Sequence, residues 1–113
     1  MGDISVEKLV QLLAVTQQNY YDLKPIATKN PRGLVSEGLL LKLRGLQSFA
    51  KETLGELPRN LVPDIDDLAH GGWERPRYEA ALMWLGALHA YVLATLPAEK
   101  GEERRRYGLD ASD

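Results

Sequence analysis

The chain has 113 residues, 44% hydrophobic and 27% charged, enough for one domain with a modest core but not for two. It contains no cysteine, which excludes disulfides and thiolate chemistry, and its net charge of −2 decides nothing about a polyanionic partner until the distribution is seen. With no basic n-region ahead of an apolar run and no apolar stretch of ~20 residues, a cytoplasmic protein without membrane contact is expected.

Residues 4–23 carry Val6, Leu9, Val10, Leu13 and Tyr20 at helical spacing, with Leu12 alongside and Asp3 or Ser5 available to cap the start. Pro25 breaks into this pattern, and PIATKNPRG (25–33) reads as a loop in which Asn30 and Pro31 suit an N-cap and a first helical position. A second helix is predicted over 33–56. At about 100° per residue, Leu39, Leu43, Leu46 and Ala50 fall close together and form its core stripe. Leu34 and Leu41 fall nearly opposite, beside Gly38 and Gly45, while Arg44 and Lys51 share a third face. Each glycine costs about 1 kcal/mol relative to alanine inside a helix. That cost makes sense where a second backbone approaches, so Leu34, Gly38, Leu41 and Gly45 form a candidate subunit interface.

The stretch PRNLVPDIDDLAHGG (58–72) reads as one short helix over about 63–69, stopped by Gly71 and Gly72. A last long helix is predicted over 75–96, with Tyr78, Ala81, Leu82, Leu85, His89, Val92 and Leu96 on one face, Trp84, Leu88 and Tyr91 widening it, and Pro97 ending it. Residues 98–113 form a polar tail expected to fray from a bundle spanning 1–97. Nothing alternates with a period of two, so the fold class is all-α, a compact bundle of four to five helices.

Little catalytic chemistry is available. His70 precedes a Gly-Gly turn, where a cation suits a helix C-terminus, and His89 lies on an apolar face as a hydrogen-bonded core residue. Without cysteine, neither histidine makes a zinc site, and no metal or cofactor is expected. DIDD (64–67) lacks the glycine and distal glutamate of a calcium loop and reads as electrostatic support for a helix start. Phosphate-loop, dinucleotide and nucleophile-elbow motifs are absent, and the nearest arginine upstream of His89 is Arg77, too far for a helical nuclease motif. No catalytic residue is predicted; an enzyme would need His70 or His89 to meet the DIDD carboxylates in one pocket.

Charge is unevenly spread. Residues 24–59 hold seven basic groups against three acidic, and residues 60–113 hold six against ten. Arg44 and Lys51 either keep one side of the second helix solvated or contact a polyanion. Arg75 and Arg77, flanking Pro76, oppose the dipole of the last helix, which a bound phosphate would reconcile. Arg104, Arg105 and Arg106 stand among Glu99, Glu102 and Glu103 and read as a solvated charge run.

SEGLLLKLRGLQSFAK (36–51) resembles the Ser-x-Gly-Leu-Leu…Leu-x-Phe…Lys stretch of the small all-helical subunit of type III CRISPR effector complexes, the Cmr-type family. EAALMWLGALHAYVLATL (79–96) is similar to that family's C-terminal helix, and NYYDLKPIATKNPRGLVSEGLL to its tyrosine-containing helix and serine-glycine helix start. The resemblance implies a non-catalytic subunit that packs against its own copies and other effector subunits and contacts the backbone of crRNA or target nucleic acid. It implies structural roles for Ser36, Gly38, Leu39, Phe49 and Trp84. Gly86 and Ala87 stand where the family often has basic residues. Arg44, Lys51, Arg75 and Arg77 are then the nucleic-acid candidates. The rival reading is a helical protein–protein adaptor or regulator, antitoxin-like or phage-related, that touches no nucleic acid. Convergence of those four cations on one exposed surface would favour the first; scatter, or pairing with Glu37, Glu52 and Glu79, the second.

Overall fold

A computed structural model of the chain describes residues 6–69, 75–97 and 101–108, excepting the side chains at 103 and 104. Its elements are α1 (Val6–Lys29), α2 (Glu37–Leu54), a 3-10 turn (Ile65–Leu68), α3 (Tyr78–Thr95) and a short α4 (Gly101–Tyr107). The fold is an all-α bundle. Among the described residues the sole extended pairing is one bridge between Leu34 and Arg77. None of the described helices is long and apolar enough to cross a membrane.

α1 runs straight through Pro25, contrary to the expected loop at 25–33. An internal proline deletes one helical hydrogen bond and costs about 3 kcal/mol. Burial offsets it: Leu23 and Ala27, on either side of Pro25, are both in the core, continuing the line of Leu9, Leu12, Leu13 and Thr16. Thr16 and Asn19, polar yet buried, turn their side chains back onto the carbonyls of Leu12, Leu13 and Val15, so neither enters the core unsatisfied.

Asn30 does not cap α2. It prolongs α1, its N–H donating to the Ile26 carbonyl, and α2 begins later with Ser36 as N-cap, the hydroxyl accepting from the Leu39 N–H at 3.1 Å. Leu40, not Leu39, joins Leu43, Leu46 and Ala50 in the core; Leu39 is half-buried. Gly55 ends the helix at φ 80°, a conformation costly for any residue with a Cβ. Between the helices, residues 33–35 run alongside the entry to α3. The Val35 N–H donates to the Pro76 carbonyl at 2.9 Å and the Tyr78 N–H to that of Gly33 at 2.7 Å.

α1 is the organising helix, packing on α3 along most of its length and on α2 and α4. The core between them is built from leucines, with Trp84, Leu85, Leu88 and Val92 supplied by α3. Residues 101–108 of the expected frayed tail pack against α1 instead. The Gln17 side chain donates to the carbonyls of Arg106 and Gly108, and Tyr107 lies partly buried against the core.

Candidate functional site

The charged side of α2 faces the acidic 3-10 turn. Arg44, Gln47 and Lys51 follow one another at helical spacing, and each reaches a residue of DIDD. Arg44 donates from Nε to Oδ1 of Asp66 at 2.8 Å, with its Nη2 at 2.7 Å from the same oxygen. Lys51 Nζ lies 3.8 Å from Oδ2 of Asp64. Between them the buried Gln47 accepts the Ile65 N–H at 2.8 Å and donates to Asp64 at 3.4 Å. From the other side Trp84 of α3 donates through Nε1 to the Pro63 carbonyl at 2.7 Å. The turn is thus clamped between α2 and α3.

Within the clamp, Asp64 caps the 3-10 turn, accepting the Asp66 N–H at 2.9 Å. That bond, the largest influence, holds the Asp64 carboxyl below its ordinary value despite partial burial, aided by Gln47 and the charges of Lys51 and Arg59. The support of a helix start expected of DIDD is therefore present, supplied by Asp64.

The four cations do not converge. Arg44 and Lys51 are ion-paired, though to Asp66 and Asp64 rather than to the glutamates the sequence suggested. Arg75 donates through Nη1 to the Val35 carbonyl at 3.0 Å, which gives this cation a structural partner at the start of α3. Arg77 is exposed at the N-cap of α3, with no side-chain capping bond. Arg44 and Arg75 do share the wall of one groove of about 230 Å³ with Glu37 and Leu41. Lys51 faces a different, much smaller recess beside Arg59 and Asp64.

The candidate interface residues separate as well. Gly38, Leu41 and Gly45 lie on an exposed side of α2, where Leu41 is 65% exposed and a Cβ at either glycine would meet nothing within 4 Å. Among the described residues, no other part of the chain approaches those glycines. Leu34 is not on α2 at all; it sits half-buried in the bridge with Arg77, because the helix starts three residues after it.

His89 is 2% exposed, and its Nε2 donates to the Tyr107 carbonyl at 2.5 Å, which places the proton of the neutral ring on Nε2. Burial, the larger effect, pushes its pKa below the ordinary value, while the bond to Tyr107 opposes that shift. It is a core histidine that ties α4 to α3. His70 lies outside the described residues. Among the described residues no three of His, Asp and Glu cluster closely enough to hold a metal ion.

The surface that sequence reasoning missed lies on α3. Between Glu79 and Pro97 the only ionisable side chains are His89 and the half-buried Tyr91, so beyond the exposed Glu79 of its first turn α3 carries no charged group along its outer side. That side carries Met83, 75% exposed, together with exposed Ala90 and Ala94. Two shallow apolar grooves run along it, of about 250 and 370 Å³, walled at the edges by Leu68 and by Leu61, which is 56% exposed. An uninterrupted apolar run after Glu79 was the available signal. α3, rather than α2, is the helix apolar on two sides. No protein family, curated protein or solved structure matches this chain.

Proposed function

We propose that the protein is a non-catalytic helical interaction module that docks another protein chain on the outer face of α3. One observation carries this reading: a helix side that bears no charge after Glu79 in its first turn, furnished with apolar grooves and a projecting methionine. Contiguous exposed apolar surface of this kind marks interaction sites. Ion pairing of Arg44 and Lys51 to the 3-10 turn supports the same reading, since a phosphate would have to displace a carboxylate already in place.

A second reading rests on the groove shared by Arg44, Arg75 and Leu41. There a ribonucleoprotein subunit would meet the backbone of crRNA or target nucleic acid and a neighbouring effector subunit, as the Cmr-type resemblance implies. Glu37 in the same wall works against a polyanion.

Mild, low-salt purification of the tagged protein from its native cells separates the two. Under the first reading, protein partners are recovered in fixed ratio and lost on Met83→Glu, with no nucleic acid enriched. Recovery of uniform short RNAs that survives Met83→Glu and disappears on Arg44→Ala with Arg75→Ala would replace it with the second.

A further inference from the structure

The groove beside the start of α2 holds two opposite charges that the fold leaves unmatched. Its wall is made by Glu37, Leu40, Leu41 and Arg44 of α2 and by Arg75, from the chain entering α3. Arg44 is matched by Asp66, which accepts from its Nε and lies 2.7 Å from its Nη2. Arg75 has no such partner. It is half-buried, its single side-chain bond runs from Nη1 to the Val35 carbonyl at 3.0 Å, and among the described residues no carboxylate pairs with it. A guanidinium carries five N–H donors in a fixed fork, so most of its capacity is unused. Glu37 is exposed and likewise forms no ion pair among the described residues. The two charges line one groove without joining each other. The rest of the wall is apolar, with Leu40 buried and Leu41 65% exposed.

Independently of the α3 face, we propose that this groove binds a free α-amino acid with an aliphatic side chain. Arg75 takes the carboxylate, its fork matching the two oxygens, and the unbonded Nη1 of Arg44 adds a further donor. Glu37 takes the ammonium, and the side chain lies on Leu40 and Leu41. Charge decides against other ligands: a zwitterion leaves neither group unmatched, whereas a polyanion meets Glu37 and a polycation meets Arg75. Size agrees. At about 230 Å³ the groove falls below the ~300–1,000 Å³ of pockets for drug-sized ligands, and it suits a molecule no larger than leucine. Both guanidiniums are already tethered, Arg75 to Val35 and Arg44 to Asp66, so binding has little left to order. The groove is open to water, so the affinity is in the millimolar range.

Titration of the ¹⁵N-labelled chain with L-leucine, followed through its amide and arginine Nε–H resonances, reads the site directly. Saturable shifts should centre on residues 37–44 and on Arg75. N-acetyl-leucine lacks the ammonium and leucinamide lacks the carboxylate, so each should bind roughly tenfold more weakly than leucine. Glu37→Gln should erase the preference for leucine over N-acetyl-leucine, and Arg75→Gln the preference over leucinamide. Each preference compares two ligands on one variant, so a general loss of binding through misfolding is not mistaken for a loss of selectivity. The wild-type comparison needs no variant at all. Absence of saturable shifts up to tens of millimolar leucine would overturn the proposal, as would equal binding of leucine and leucinamide. Inorganic phosphate binding more tightly than leucine at the same resonances would overturn it in favour of a polyanion site. None of these results bears on the α3 face, which Met83→Glu tests separately.

Discussion

Replacing Gln47 by leucine tests whether α2 holds the 3-10 turn or merely lies beside it. Gln47 is 8% exposed, and its side-chain oxygen is the acceptor for the Ile65 N–H, a buried bond of 2.8 Å. Leucine fills similar space but leaves that donor without a partner. An unsatisfied buried donor costs about 1–3 kcal/mol, and loss of the longer contact to Asp64 adds little. For a domain of this size 1 kcal/mol moves the thermal midpoint by about 4 °C, so a fall of roughly 4–12 °C is expected. Removing the flanking ion pair is milder. Arg44 and Asp66 are 44% and 54% exposed, and a pair so wet contributes about 0.2–1 kcal/mol. Urea denaturation of Gln47→Leu and Arg44→Ala beside the wild type gives both numbers. A Gln47→Leu variant within 0.5 kcal/mol of wild type, or less damaged than Arg44→Ala, would refute the clamp.

Three further outcomes follow from the same geometry. Ser36→Ala should cost about 1 kcal/mol, since the hydroxyl accepts the Leu39 N–H at the start of α2, and circular dichroism melting would show it. Gly45→Ala should raise stability by up to about 1 kcal/mol, because a methyl group there meets nothing within 4 Å; a loss in the same melt would mean the α2 backbone needs glycine. His89 should make stability depend on pH. Its folded pKa is depressed below 6.5, so the unfolded chain takes up the proton first as pH falls. Its contribution is complete above 6.5 and is lost between that value and the folded pKa. Urea midpoints at pH 7.5 and 5.5 should therefore differ more in wild type than in His89→Gln, which retains an N–H donor but does not titrate.

Helix class and core were readable because apolar spacing survives local insult. The line from Leu9 through Leu13 and Leu23 to Ala27 continues past Pro25, and following it rather than the proline would have extended α1 correctly. Local chemistry competed with that period, and packing won. Ser36 carried the true start of α2, but Asn30-Pro31 offered a rival cap that the sequence alone could not demote. Choosing it moved Leu34 onto a helix it does not join. The basic line of α2 was visible, and so was DIDD. Their union was not, because they lie on separate elements and only the tertiary fold brings Arg44 to Asp66 and Lys51 to Asp64. On α3 the reverse held: the sequence showed apolar residues all round, and only the fold showed which of them the bundle leaves uncovered.

The measurement that bears most directly on the docking face is site-specific photo-cross-linking in the native cells. A benzophenone amino acid replaces Met83 in one strain and Leu41 in another, since both side chains are exposed and lie on different helices. Discrete protein adducts from position 83, absent from position 41, are the expected result. Adducts to nucleic acid from position 41, with none from 83, would contradict the assignment and move the functional surface to the groove of Arg44 and Arg75.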